Sequence, residues 1–194
     1  MQINLLTFRI AQAMGYDQKD VFQRLSKLLE EQGELLEAFD LDDHDETIEE
    51  GVDNMLVITS IAYVIDPSCM MRAEQVVIDA FKEGISMNAN SQSLLTSYMI
   101  STGKMSDAIQ KNRKVAASSY KGNVSDAEAV EIVFTTLSKL CHFIASRTSD
   151  CEKVNALILK KNEKWLKKSL EGQGIFEDDL SATSLIRDHV RTVG

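Results

Sequence analysis

The chain has one proline and nine glycines among 194 residues, and aromatic side chains make up only 6% of it. All-β folds punctuate their short strands with Gly and Pro turns, so a chain this poor in both is expected to be mainly helical. Three cysteines (Cys69, Cys141, Cys151) form no Cys-x-x-Cys pair, and the three histidines (His44, His142, His189) show no zinc spacing. That pattern excludes a thiolate metal site and a disulfide framework, and the reducing cytoplasm is the expected compartment. No run of about 18 uncharged apolar residues occurs, and the N-terminal stretch lacks a basic segment followed by an apolar one, so neither a membrane span nor a secretory leader is expected. Positive charge is scarce too: 21 Lys and Arg face 30 Asp and Glu, for a net charge of −9. A broad basic face for a nucleic-acid polymer is thereby excluded, because such binding needs cations that displace phosphate counterions.

What remains is 44% apolar residues, enough for the core of a single domain over residues 1–194. From Asp20 to Phe39, Val21, Leu25, Leu28, Leu29, Leu35, Leu36 and Phe39 recur at helical spacing, and Glu30, Glu31, Glu34 and Glu37 form a second stripe. The acidic run Asp40–Asp45 breaks the pattern. Thr47 then opens another helix, with Glu50 three residues on as a capping box. Its body, GVDNMLVITSIAYVI, is almost wholly apolar and must be buried on most sides, which suits the middle of a bundle. Asp66-Pro67 ends it. A third helix is expected from Met70 to Phe81, closed by Gly84, and a linker over Ile85–Ser93.

The second half reads as a diverged copy of the first. Sliding Leu28–Phe39 onto Tyr98–Ile109, an offset of 98 − 28 = 70, pairs Gly33 with Gly103 and Ala38 with Ala108. Sliding Glu49–Ile65 onto Ala127–Phe143, an offset of 127 − 49 = 78, pairs Glu50 with Glu128 and Asp53 with Glu131. The fold expected is an all-α bundle of two related helical units, residues 20–84 and 94–168, followed by a tail over 172–194 that includes a short helix near Ser184–Arg191.

The first unit holds Glu31-x-x-Glu34, fifteen intervening residues, then Glu50-x-x-Asp53. Residues three apart share a helix face, so each pair presents two carboxylates side by side. Four carboxylates on two packed helices repel one another unless cations lie between them, and hard oxygen donors suit Mg²⁺ or Mn²⁺. Each piece also has a plainer reading. A lone Glu-x-x-Glu is commonly a solvated face, and Glu50 and part of Asp53 fit a helix N-terminus, where the dipole favours acids.

LLEEQGELLEAF followed by EEGVDNMLVITSIAYV resembles the all-α nucleoside triphosphate pyrophosphatases, the group of MazG, dimeric dUTPases and phosphoribosyl-ATP pyrophosphohydrolase. Glu30, Glu31, Glu34, Leu35, Glu50 and Asp53 fill the places of that family's EExxEL…ExxD pattern. The resemblance implies a duplicated, diverged MazG-like unit and Mg²⁺-dependent cleavage of a nucleoside triphosphate between its α and β phosphates, Mn²⁺ being an alternative ion. It makes Glu31, Glu34, Glu50 and Asp53 metal ligands and Glu30 a candidate to deprotonate the attacking water, a task Glu31 or Glu34 can share. It also implies a homodimer or homotetramer, and a weak preference for a pyrimidine such as dUTP or dCTP.

The phosphate partner is sought in NALILKKNEKWLKK, which concentrates Lys160, Lys161, Lys164, Lys167 and Lys168 and resembles the family's K-N-x-[KR] stretch. Lys161, Asn162 and Lys164 are the first candidates for substrate contacts, Lys153 and Asn155 the second. The other reading is that lysines favour a helix C-terminus and keep an acidic protein in solution. Trp165 either stacks on a base or covers the core, and His142 is read as a core residue. The lysines act within one chain or from a partner subunit. DLDDHDETIEEG is not a calcium loop, because an EF-hand from Asp40 would need Gly at Asp45 and Glu at Gly51. The rival to the enzyme is a noncatalytic helical regulatory or assembly protein with a structural divalent ion.

Overall fold

A computed structural model of the protein describes residues 3, 5, 20–114 and 122–172, with side chains as far as Trp165. The expected tail helix near Ser184–Arg191 and the side chains of Lys167 and Lys168 lie outside the described residues. Among those described there are six α-helices and no strand: α1 (Val21–Asp40), α2 (His44–Ile65), α3 (Met70–Ser86), α4 (Ser91–Asn112), α5 (Asp126–Arg147) and α6 (Cys151–Gly172). A 3₁₀ turn, Pro67–Cys69, joins α2 to α3, with Pro67 in the first position as its fixed φ favours.

The local chemistry sets these boundaries. Asp20 caps α1 by accepting from the Phe22 and Gln23 N–H groups, and the Gln23 side chain returns the bond to the Asp20 N–H. α1 ends in a Schellman turn: Asp43 N–H bonds Ala38 O (3.0 Å) and Asp42 N–H bonds Phe39 O (3.2 Å), with Asp42 at φ +54° where Gly usually stands. Asp43 then caps α2 directly through the Glu46 N–H. The expected start of α2 at Thr47 is thus one turn late. The hydroxyl of Thr47 instead donates to Asp43 O (2.5 Å), and Glu50 sits in the second turn, free of any capping bond.

Two further expectations change. α3 runs on to Ser86, and Gly84 is not its cap. A Cβ there would lie 2.6 Å from the Ala145 Cβ and 2.9 Å from the His142 Cα, so the missing side chain serves the close approach of α3 to α5. The linker shrinks to residues 87–90, because Asn90 caps α4 by accepting from the N–H groups of Gln92 and Ser93.

α1 pairs with α2 and α4 with α5 as two antiparallel hairpins, and α2 packs across α5 at the centre. The third helix of each half crosses to the other hairpin: α3 lies along α5, and α6 rests more sparsely on α2. One continuous apolar core results, with Leu28, Leu35, Leu56, Ile58, Val133 and Phe143 buried inside it. α5 is long and apolar enough to cross a membrane by length and composition, yet most of it is buried in the bundle, as a central helix must be.

Candidate functional site

α1, α2 and α6 enclose a cavity of roughly 720 Å³, within the ordinary range for a small-molecule site of about 300–1,000 Å³. Helical periodicity aims the acids into it. Glu31 and Glu34 share one face of α1, and Glu50 and Asp53 share the facing side of α2. Asn54 fixes the level of the two helices, donating from Nδ2 to the Glu31 carbonyl (2.8 Å) and to the Glu50 carbonyl (2.9 Å). Its Oδ1 accepts from Tyr98 OH (2.8 Å), whose oxygen accepts in turn from Gln32 Nε2 (3.2 Å). This buried network holds the acid-bearing turns rigidly against α4.

Carboxylate oxygens of Glu31, Glu50 and Asp53 lie within 4.8 Å of one another, and all three residues are buried. Two of the buried oxygens, Glu50 Oε2 and Asp53 Oδ1, have no hydrogen-bond partner. Leaving such atoms unmet costs free energy, and a cation placed among them would remove that cost. Burial first, then the Asp53 charge, raises the Glu50 pKa to about 8. Burial likewise raises Asp53 to about 6, against the lowering effect of Lys161. Glu34 stands at the open side of the cavity, its pKa raised by burial and by its hydrogen bond with Glu31. Three clustered carboxylates with unmet oxygens are the donor set that a hard divalent cation takes, so the residues present fit Mg²⁺ or Mn²⁺.

Cations surround this centre. Lys161 Nζ donates to Asp53 and lies 2.9 Å from Glu49 Oε1. Burial works against its charge, but the bonds to Asp53 and Glu49 outweigh that and raise its pKa. Lys27 Nζ contacts Glu31 (2.5 Å) and Glu30 (2.8 Å). Lys164, Trp165 and the buried Arg24 also line the cavity, and Trp165 packs against the core as well.

The remaining candidates stand apart. The Glu30 side chain is 61% exposed and held by Lys27, away from the lining. Lys153 pairs with Asp45 (2.5 Å) and Lys160 with Glu49 (3.1 Å), both on the outer side of the α2–α6 contact. Asn155 is half-buried and Asn162 buried, and neither lines the cavity. Arg24 and Lys27, which line the cavity, and Glu49, which holds Lys161 from outside the lining, are the residues that sequence reasoning missed. The signal for the first two was present: residues 24, 27, 31, 34 and 38 follow 3–4 spacing on one face of α1.

A second groove, of roughly 640 Å³, lies between α3, α4 and α5. Asp53, Val57 and Ser60 of the first are matched there by Glu131, Thr135 and Ser138, each 78 residues on. Arg24 and Lys27 are matched by Leu94 and Ser97, 70 residues on, and Lys161 and Trp165 by Glu83 and Met87, 78 residues back. The charge is not matched. Glu131 is exposed and doubly bonded to Arg72, Glu128 caps α5 through Ser125, and His142 is half-buried against Glu83 (3.3 Å) rather than in the core. No family model, curated protein or solved structure matches the chain.

Proposed function

We propose that the protein is a Mg²⁺-dependent nucleoside triphosphate pyrophosphohydrolase, cleaving the α–β phosphate bond to give the monophosphate and pyrophosphate. The observation that carries this reading is the buried trio Glu31, Glu50 and Asp53, with unmet carboxylate oxygens beside a wall of lysine and arginine. Acids alone make a cation site. Acids joined to cations in one cavity make a site for a ligand that carries metal and negative charge together, which describes a metal-bound polyphosphate.

Glu31, Glu50 and Asp53 would hold the ion, with Glu34 completing the set. A bound divalent cation supplies charge neutralisation to the phosphates and lowers the pKa of a bound water. Lys161, which bonds Asp53 and Glu49 and lines the same cavity, would be the ammonium group to meet phosphate oxygens there. Glu34 is at the open side with a raised pKa, the position of a residue that orients the attacking water and takes its proton at a carboxylate oxygen. Glu30 is replaced in that role, since it faces solvent. Lys161 and Lys164 come from the same chain as the acids, which favours one complete site per subunit.

The same reading includes a duplicated unit. Matched positions line both grooves, the third helices exchange hairpins, and Gln32 Nε2 donates to Thr102 Oγ1 (2.9 Å), a residue bonding its own counterpart 70 positions on. Such a self-pairing is what a two-fold relation between the halves produces on its axis.

The test is product analysis with Mg²⁺ and a panel of common and noncanonical nucleoside triphosphates. The proposal expects monophosphate and pyrophosphate from at least one, and loss of that turnover in Glu34→Ala with the fold intact. No turnover in Mg²⁺ or Mn²⁺ across the panel would favour the noncatalytic protein with a structural ion.

A further inference from the structure

The cavity changes character along its length. α1 and α2 run antiparallel, with Glu31 level with Asn54 and Ala38 beside the turn at Asp43. α6 runs in the direction of α2, since Lys153 meets Asp45 while Lys161 meets Glu49 and Asp53. These registers order the lining into three zones. The carboxylates occupy the middle. One to two turns toward the start of α1 stand Arg24 and Lys27, facing the Val57–Ser60 stretch of α2 with Lys164 beside it. Toward the α1–α2 turn, Ala38 and Leu41 form an apolar wall rimmed by Glu37 and Glu46, and no basic residue is among the described lining positions there.

The two ends therefore treat a nucleotide differently. A phosphate tail is repelled by the acidic rim and drawn to the guanidinium and ammonium groups at the other end, which are the side chains that bind phosphate best. The apolar wall has the opposite preference: it gains by covering a base and a sugar. From Glu34 to Leu41 the helix rises seven residues, about 10 Å at 1.5 Å each, the scale of a nucleoside.

We infer that the site takes its substrate in one direction, with the terminal phosphates at Arg24, Lys27 and Lys164, the scissile phosphorus at the carboxylates, and the nucleoside against Ala38 and Leu41. This rests on the pyrophosphohydrolase reading and adds an orientation to it. The competing placement puts the base on Trp165, at the basic end.

Calorimetric titration of the Mg²⁺-loaded full chain with inorganic pyrophosphate, and separately with a panel of nucleoside monophosphates, separates the two. The variant Lys27→Met/Lys164→Met changes side chains that reach solvent and should weaken pyrophosphate by about tenfold or more while leaving monophosphate nearly unchanged. Leu41→Ser, at a residue 72% exposed, should weaken monophosphate about fivefold and spare pyrophosphate. The orientation is overturned if Trp165→Ala rather than Leu41→Ser weakens monophosphate, or if all the variants bind both ligands as the parent does. A parent chain that binds neither ligand overturns the hydrolase reading itself, a result distinct from a reversed orientation.

Discussion

Two grooves flank the central α2–α5 contact, and several positions spaced by 70 or 78 residues line both, yet only one gathers buried acids. In the first, α2 is capped by Asp43, a full turn ahead of Thr47, so Glu50 lies inside the helix and faces Glu31 and Asp53. In the second, the residue matching Thr47 is Ser125, which is itself the cap, and Glu128 is consumed in its capping box. Glu131, the match of Asp53, faces solvent and bonds Arg72, whereas Asp53 is buried beside Lys161. Both halves hold an acidic pair at the same spacing. What distinguishes the halves is that Ser101 and Lys104 stand where the first has Glu31 and Glu34, with a one-turn difference in where a helix starts and burial that leaves like charges unmet.

The largest effect expected from this contrast is on turnover. Asp53→Asn or Glu50→Gln should reduce it more than about 100-fold, since each removes charge from the cluster meant to hold the cation. Glu131→Gln in the matched place should leave steady-state kinetics unchanged. Loss of activity in both would mean that the second groove also works.

Packing supplies the next test. Gly84 brings α3 tightly onto α5, while its match on α6 is Asn162, a full side chain between α6 and α2. Gly84→Val should cost about 2–3 kcal/mol in a denaturant titration, because its Cβ meets backbone as well as the Ala145 side chain. A neutral result would contradict the close helix approach.

The two grooves should also differ in the sign of their pH dependence. Glu50 and Asp53 have pKa values raised to about 8 and about 6 from ordinary values of 4.5 and 3.8. Ionising them opposes the fold, so the metal-free protein should lose stability as pH rises from about 4 to 8 through these groups. Glu128 is lowered by its backbone and side-chain bonds to Ser125. Its contribution is present at neutral pH and is lost as pH falls through its depressed pKa. Denaturation midpoints across pH should therefore show part of the loss with rising pH removed by Glu50→Gln, the part left belonging to Asp53, and part of the loss on the acid side removed by Glu128→Gln. The smallest effect is at Arg72–Glu131, an exposed pair, where Glu131→Gln should leave the denaturation midpoint essentially unmoved.

The helical class was legible because the spacing of Val21, Leu28 and Leu35 and the apolar run around Leu56 carry the core directly, and scarce Gly and Pro left few alternatives. The boundaries were less so. Thr47 and Glu50 have the form of a capping box, and only the Schellman turn at Asp42 shows why the helix starts earlier. Gly84 has the look of a stop signal, but its role depends on a helix distant in sequence. The acids stood out as a spaced pattern, whereas Arg24 and Lys27 blend into an ordinary charged face until α2 and α6 close over them. Lys153 and Asn155 lie early in α6, on turns beyond the cavity.

One groove is expected to bind a divalent cation and its counterpart not to. The decisive experiment titrates Mn²⁺ into the protein and follows the free ion by electron paramagnetic resonance. Saturable binding to the parent chain, abolished by Asp53→Asn and unaltered by Glu131→Gln, is the expected result. Binding that survives Asp53→Asn, or a parent chain that takes up no Mn²⁺, would contradict it.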